Sequence, residues 1–212
     1  AWVMPNVDMM VNFRNNGREM RPLPGSRLQN SRYYGREGLT WTYIKSTGRR
    51  FGYLPEGSIF DQRGPMCFPN ELSPWILMSV LNSTLYHGLF LSLTPEREWT
   101  VGDLGRIPWT DELADMSELA DLAHEQYQLV KALRSLNPTS PYYTGPALLP
   151  GDLSFFYDHP YTEAEEITST KFDYCINADQ SIRSAVRVVE EQKQEMQQRL
   201  ETLATSIDDL VY

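Results

Sequence analysis

The chain has 212 residues, a hydrophobic content of 41% and a formal net charge of −9 at pH 7. This hydrophobic content is typical of a folded globular protein and excludes an intrinsically disordered chain. Cys67 and Cys175 lie far apart and have no paired spacing, which excludes a disulfide framework and a cysteine-rich zinc site. We therefore expect two free thiols in a cytoplasmic protein.

Charge is unevenly distributed along the chain. Residues 1–110 hold 12 Lys and Arg against 9 Asp and Glu, a net charge of +3. Residues 111–212 hold 7 against 19, a net charge of −12. Within 14–63 the count is 10 against 4, a net charge of +6. This asymmetry predicts an anion-binding surface in the N-terminal half, with solvated helix faces or a partner surface in the acidic half.

Short strands are predicted after a loop region at 12–30, which is rich in Asn, Gly, Pro and Arg. The segment LTWTYI alternates in the manner of a half-buried strand. We expect Trp41 and Phe60 in the core, with Tyr43 and Phe51 in the same sheet. Frequent turns indicate a small meandering sheet, with strand candidates at 39–44, 50–54, 58–60 and 65–68.

Two helices and a linker are predicted next. A helix opens at Ser73-Pro74, as N-cap and first position, and runs to Leu93. Polar residues interrupt its apolar run, so we interpret it as a buried helix and not as a membrane span. Residues 96–110 return to strand and turn, and Thr110 caps a second helix. A Pro- and Gly-rich linker begins at 137. The apolar stripe of the second helix consists of Leu113, Met116, Ala120, Ala123, Tyr127, Val130 and Leu133.

A last helix is predicted at 175–211, with apolar residues at alternating spacings of four and three. This pattern is a heptad seam, interrupted only by Lys193. It fits an amphipathic helix packed on its own domain and an intermolecular coiled coil about equally well. The seam consists of Ile182, Val186, Val189, Lys193, Met196, Leu200, Leu203, Ile207 and Leu210.

Motifs for catalysis are not found in this sequence. It contains no P-loop, CxxC, HExxH or GxSxG motif, and its three histidines, His87, His124 and His159, are isolated. The remaining signal is the basic, aromatic stretch at 31–60. Its arginines fit phosphate neutralisation or base contacts in a DNA groove. They fit equally well the solvated outer face of a sheet whose aromatic residues point inward.

Several long phrases resemble one family. These are VNFRNNGREMR, GSRLQNSRYYGREGLTW and GYLPEGSIFDQRGPMCF, followed by Leu81-Asn82-Ser83 and by Val101-Gly102-Asp103-Leu104 with Ile107-Pro108. They resemble the target-recognition region of PglX-type adenine-N6 DNA methyltransferases of BREX phage-exclusion systems, whose kin are Type IIG restriction–modification enzymes. The closing IDDLVY is similar to that family's C-terminal phrase. The resemblance covers residues 11–135 well and 200–212 weakly.

The resemblance implies a non-catalytic fragment of a longer enzyme. A separate upstream domain would hold S-adenosylmethionine and an Asn-Pro-Pro-Tyr loop, and would receive the flipped adenine. We thus expect an α+β fold with a small, mostly antiparallel sheet and packed helices, followed by a long, coiled-coil-like helix. The expected divisions are a DNA target-recognition domain at 1–136, a linker at 137–174 and the long C-terminal helix at 175–212.

The expected partners are double-stranded DNA and the upstream methyltransferase domain. Arg49 and Arg50 are expected at a loop tip that enters a groove, and Arg32, Arg36 and Arg63 at phosphates. Two alternatives stay open: an interaction module that binds other defence-system subunits or a DNA-mimic inhibitor, and half of a Type I specificity subunit. The candidates for DNA contact are Arg27, Arg32, Tyr34, Arg36, Thr42, Lys45, Thr47, Arg49, Arg50 and Arg63.

Overall fold

The computed structural model describes residues 3–5, 7, 9–44, 50–94, 98–143 and 182–212. Its strands are β1 (Gly38–Trp41), β2 (Phe51–Leu54) and β3 (Met66–Cys67). Its helices are α1 (Arg14–Gly17), α2 (Pro74–Asn82), α3 (Thr84–Leu93), α4 (Val101–Leu104), α5 (Asp111–Ala114), α6 (Ser117–Ser135) and α7 (Ile182–Val211). This combination is an α+β fold, as predicted.

The three strands form an antiparallel sheet in the order β2-β1-β3. Leu39 of the central strand pairs with Tyr53 of β2 and with Cys67 of β3. The small antiparallel sheet is thereby confirmed, although β3 pairs with β1 and not with β2. The prediction of a strand at 58–60 is wrong. The carbonyl oxygen of Ser58 accepts the N–H of Gly35, which lies in a neighbouring turn and not in a strand.

Strand β1 ends at Trp41, three residues earlier than predicted. Beyond it the backbone turns to other partners. The N–H of Tyr43 donates to the carbonyl oxygen of Arg63 (3.2 Å), and the Tyr43 carbonyl accepts the N–H of Trp99 (3.1 Å). The side chain of Trp41 is buried, as expected, and its Nε1 donates to the Trp99 carbonyl (2.9 Å).

The single helix predicted at 73–93 is in fact two helices, α2 and α3, bent by 69°. The bend follows from the polar pair at the break. The side chain of Asn82 is engaged with the backbone of Phe51. Ser83 is extended, and its Oγ accepts the N–H of Tyr86 (3.3 Å) as the N-cap of α3. Such side-chain bonds compete with the helical backbone and restart the helix.

Residues 96–110, predicted as strand and turn, contain the short helix α4. A capping box starts this helix: the Asp103 carboxylate accepts the backbone N–H of Thr100 (2.9 Å) and its hydroxyl (2.7 Å). The helix predicted from Thr110 is divided into α5 and α6. The residues that α6 buries are Leu119, Ala123, Gln126 and Val130.

The long helix α7 packs against α6 of the same chain, and its C-terminal half joins the main hydrophobic core. Arg199 on α7 makes a two-pronged ion pair with Glu125 on α6 (2.6 and 2.9 Å). This favours the interpretation as an amphipathic helix on its own domain, and an intermolecular coiled coil is not confirmed. The buried residues of α7 are Val189, Met196, Leu203, Ile207 and Val211.

The main hydrophobic core joins the sheet to α2, α3, α6 and α7. The strand β2 lies at the edge of the sheet, and the N–H of Tyr53 on it donates to the carbonyl oxygen of Val3 (3.0 Å). Among the described residues no single helix is long and apolar enough to cross a membrane, and α2 and α3 pass that test only as a bent pair. The predicted domain boundaries stay predictions.

Candidate nucleic-acid interface

A tight turn at 31–36 carries two arginines of the basic, aromatic stretch. It begins with one turn of 3₁₀ helix, after which the Tyr33 carbonyl accepts the N–H of Arg36 (3.3 Å). Between them Tyr34 is extended (φ −63°, ψ 142°) and Gly35 has a φ of +81°. These angles define a type II turn. Glycine is favoured at its third position, because a side chain would be strained at a positive φ.

The turn holds the guanidinium groups of Arg32 and Arg36 against one pair of rings. The rings of Tyr33 and Phe68 are stacked 5.3 Å apart with an interplanar angle of 17°. The guanidinium carbon of Arg32 lies 4.8 Å from the Tyr33 centroid. That of Arg36 lies 5.6 Å from the Tyr33 centroid and 5.2 Å from the Phe68 centroid. All three separations fall within the range of cation–π attraction. We call these four residues the arginine–aromatic stack.

Further ring contacts join the stack to Phe13, Tyr34 and Phe60. We call these three rings, together with Tyr33 and Phe68, the satellite cluster. The Tyr34 ring meets Phe60 edge-on at 5.1 Å and Phe13 at 5.5 Å, and Phe60 meets Phe68 at 5.7 Å. None of these rings belongs to the main core. The prediction that Phe60 lies in the core is therefore wrong: it is half-buried in this cluster, because the chain leaves the sheet after β2. Burial and the nearby Asp61 carboxylate raise the pKa of Tyr34.

A left-handed turn at α1 packs beside this cluster. Asn15, Asn16 and Gly17 all have positive φ values, of 51°, 55° and 71°. Asparagine tolerates this conformation better than other residues with a side chain. At Gly17 a Cβ would lie 2.6 Å from the ring of Phe13 and 2.8 Å from Leu28, so both side chains would have to shift, and the positive φ would strain any side chain there. The Asn-Asn-Gly sequence thus favours a left-handed backbone at residues 15–17.

The loop that follows this turn is tied to the 31–36 turn through Arg21. Its Nη2 donates to the carbonyl oxygen of Asn16 (3.3 Å) and to the hydroxyl of Ser31 (3.5 Å). Arg14 and Arg18, on the same loop, are exposed. The sequence analysis did not select these three arginines. Arg21 therefore brings one additional positive charge to the turn that carries the arginine–aromatic stack.

Arg63 and Arg27, two further candidates, are exposed. Arg63 lies on a turn that Asp61 organises, since its Oδ1 accepts the backbone N–H groups of Arg63 (2.8 Å) and Gly64 (2.9 Å). The main chain of Arg63 is also bonded to Tyr43 beyond the end of β1. The position of Arg63 is thus fixed by its backbone, while its side chain faces solvent.

Arg50 does not face outward, and that prediction is wrong. Its side chain is 1% exposed, and its guanidinium carbon lies 3.7 Å from the ring centroid of Trp99 in the main core. A planar guanidinium can lie flat on an indole, which makes this burial possible. Burial lowers the pKa of Arg50 to about 10. We therefore remove Arg50 from the candidate DNA contacts.

The other candidates have different surroundings. Tyr34 and Thr42 are half-buried, and Lys45, Thr47 and Arg49 lie outside the described residues. The structure thus brings Arg32, Tyr34 and Arg36 together in one turn and its supporting cluster.

The sequence analysis missed the role of Tyr33 and Phe68. A signal was available for the first of them: Tyr33 has an arginine one residue before it and another three residues after it, with Gly35 between them to form the turn. Phe68 is distant in sequence, so its contact with Arg36 could only come from the fold.

Among the described residues no three His, Cys, Asp or Glu side chains are placed to hold a metal ion. His87 lies against Trp99 (5.6 Å between ring centroids), and His124 lies against Trp75 (5.0 Å). Burial raises the pKa of the Cys67 thiol, which keeps it protonated and unreactive near neutral pH.

Comparison with known proteins finds two adenine-specific methyltransferases. The chain is 31% identical over 130 residues to adenine-specific methyltransferase BrxX of Escherichia coli O9:H4 (strain HS), over 60% of this chain and 10% of the relative. It is 25% identical over 111 residues to adenine-specific methyltransferase PglX of Lacticaseibacillus casei (strain Zhang), over 49% and 9%. No protein-family model matches the chain. It spans about a tenth of the length of these relatives, to which it is related at low identity over part of its length.

Proposed function

We propose that this chain is the DNA target-recognition module of an adenine-N6 DNA methyltransferase that acts in phage defence, of BREX or Type IIG kind. Two relatives are named adenine-specific methyltransferases. An enzyme that modifies a base inside a duplex must hold the DNA while the base is flipped out. A module that contacts the duplex beside the catalytic domain supplies this grip.

The observation that carries the proposal is a set of exposed arginines in a region of net charge +6. Arginines that neutralise phosphates release counterions, and this release drives binding to DNA. The chain as a whole is acidic, so its net charge would repel DNA. The attraction is therefore assigned to the local excess of arginines in this region. Among the described residues of 14–63, the exposed arginines are Arg14, Arg18, Arg21, Arg27, Arg32, Arg36 and Arg63.

The proposal assigns different roles to different positions. Arg32, Arg36 and Arg63 contact phosphates, which position the protein on the duplex without reading its sequence. The segment 45–49 connects β1 to β2, and its Lys45 and Arg49 are the candidates for contacts in a groove, with Thr47 beside them. The half-buried Tyr34 supports the turn, and Thr42 directly follows β1, ahead of the segment 45–49.

The proposal divides the labour between this chain and the rest of the complete protein. Residues 1–136 form the recognition domain, 137–174 a connecting segment and 175–212 a helix that packs on that domain. The sequence has neither the glycine-rich cofactor motif nor the Asn-Pro-Pro-Tyr loop. S-adenosylmethionine and the flipped adenine therefore belong to a separate domain, and this chain contributes DNA binding and no catalytic residue.

The test is a titration of the complete gene product with a fluorescein-labelled duplex, followed by fluorescence anisotropy between about 50 and 200 mM salt. Arg27→Ala and Arg63→Ala should weaken binding, and the slope of log K against log salt should fall by about 0.9 for each lost phosphate contact. Arg187→Ala on α7 is the matched control, because it removes the same charge from a side chain that is 75% exposed.

Two results decide the proposal. Loss of affinity and of salt dependence in both variants, with the control unchanged, supports it. Equal binding by the wild type, Arg27→Ala and Arg63→Ala would remove the basic region from the DNA interface and overturn it. Arg50→Ala is unsuitable here, because it empties a buried site in the core and would mix loss of stability with loss of contact.

A further inference from the structure

We infer that the arginine–aromatic stack is a preorganised clamp for the phosphates of the DNA backbone, in which Tyr33 and Phe68 are positioning residues for Arg32 and Arg36. This inference rests on the proposed function and deepens it. It concerns how the guanidinium groups of Arg32 and Arg36 are oriented. The exposure and net charge of the region do not determine this orientation.

The first step is the closeness of two like charges. Both guanidinium carbons lie within 5.6 Å of the Tyr33 centroid, so they can be no more than about 10 Å apart. This distance is close to the Debye length of about 8 Å at physiological salt, so the charges repel each other with incomplete screening. The negative face of the shared ring attracts both cations and offsets this repulsion. A polyanion relieves the repulsion further when it binds.

The second step is that both guanidinium groups have their N–H donors available. Within the part of the chain that the structure describes, the guanidinium group of neither Arg32 nor Arg36 donates to a carboxylate or a carbonyl. By contrast, Arg21 already donates to Asn16 and Ser31, and Arg199 is paired with Glu125. An arginine has five donors in a fixed fork that matches the oxygens of a phosphate. The stack therefore presents acceptor-seeking groups in a defined orientation.

The third step is the rigidity of the support. An exposed arginine on a flexible stem loses rotamer freedom when it binds, and this loss opposes binding. Contact with the rings of Tyr33 and Phe68 restricts this freedom in advance, and the type II turn fixes the spacing of the two arginines along the chain. The rings should thus raise affinity for DNA without any contact of their own with it.

The experiment compares leucine substitutions in the complete gene product, with duplex binding measured by anisotropy over a range of salt. Tyr33→Leu and Phe68→Leu should each raise Kd by about 2- to 5-fold, the range of an exposed cation–π interaction. The salt slope should not change, since no charge is lost. Arg36→Ala should also raise Kd, but with a slope smaller by about 0.9. The loss should be equal on duplexes of unrelated sequence, because phosphates carry no base information.

Two controls separate a positioning role from a structural one. Phe60→Leu removes a ring of the same cluster over which no guanidinium lies among the described residues, so DNA binding should be unchanged. Tyr33→Phe keeps the ring and should bind like the wild type. Thermal unfolding of each variant shows whether the fold is retained, and Phe60→Leu calibrates how far a small loss of stability affects binding.

Each outcome is decisive. Weaker binding by Tyr33→Leu and Phe68→Leu at unchanged salt slope, with Phe60→Leu normal, supports the clamp. Normal binding by both ring variants, while Arg27→Ala and Arg63→Ala are weakened, overturns the clamp and leaves the recognition module intact. Normal binding by every arginine and ring variant overturns both.

Discussion

The side chain of Asn82 should be a principal stabilising contact between the helices and the sheet. Its Nδ2 donates to the carbonyl oxygen of Phe51 (2.8 Å), and its Oδ1 accepts the Phe51 N–H (3.1 Å). Both residues are buried, and Phe51 lies on the edge strand β2. The amide thus substitutes for the missing neighbouring strand, which protects an edge that could otherwise pair with another chain.

The magnitude follows from the groups that Asn82→Ala leaves without a partner. A buried N–H or C=O group without a hydrogen bond costs about 1–3 kcal/mol. Two such groups should lower the free energy of unfolding by about 2–6 kcal/mol, and Tm by about 4–24 °C for a domain of this size. Asn82→Asp should also be destabilised at neutral pH, because a carboxylate then faces the Phe51 carbonyl. Its pKa in the fold is raised, so stability should partly return as the pH falls.

Urea denaturation followed by tryptophan fluorescence measures this difference. Asn70→Ala is the matched control, since Asn70 is exposed and its replacement should change stability by less than about 0.5 kcal/mol. If Asn82→Ala unfolds at the same urea concentration as the control, the amide does not hold the edge of β2. A large loss in Asn82→Ala without a pH-dependent recovery in Asn82→Asp would mean that packing, and not the hydrogen bonds, dominates.

Three further predictions concern two glycines and a helix cap. Gly38→Ala should lower the free energy of unfolding by about 1–3 kcal/mol, because its Cβ would lie 2.5 Å from the carbonyl oxygen of Cys67. Gly88→Ala, with nothing within 4 Å of the new Cβ, should instead stabilise α3 by about 0.5–1 kcal/mol, which urea midpoints would show. The hydroxyl and backbone N–H of Thr100 lower the pKa of Asp103, so its stabilisation is present above the ordinary Asp pKa and is lost as the pH falls through the lower folded value. The Tm difference between wild type and Asp103→Asn should therefore shrink below about pH 4, and a constant difference would contradict it.

The sequence predicts much of the secondary structure, but not the contacts that interrupt it. The apolar run at 73–93 has no helix breaker stronger than Asn82 and Ser83, so its pattern predicts one helix. The bend arises because a distant strand, at Phe51, offers a buried N–H and C=O to the asparagine. A local pattern contains no information on such a partner. The same limit applies to α7, whose heptad seam does not indicate whether α6 or a second chain covers it.

In the candidate site, too, local sequence patterns predict some features, while contacts between residues distant in sequence decide others. Exposed arginines follow from composition and turn signals, and Arg27, Arg32, Arg36 and Arg63 are indeed exposed. Arg50 could not be separated from them, since a buried arginine requires a flat partner such as Trp99, 49 residues further along the chain. The expected outward direction is therefore correct for Arg27, Arg32, Arg36 and Arg63 and wrong for Arg50, while Arg49 lies outside the described residues.

The separation of the satellite cluster from the main core bears on how recognition could change independently of folding. At strand β3 the side chain of Cys67 packs on the main core, while the next residue, Phe68, belongs to the satellite cluster. Cys67 is the last residue of β3 and Phe68 directly follows the strand, so two adjacent residues connect the main core to the satellite cluster. Substitutions at Asn82 should thus alter unfolding and affect DNA only through the folded fraction. Substitutions at Phe68 should alter the orientation of Arg36 while the core stays closed. A surface built on its own small cluster can vary in sequence without endangering the fold that carries it.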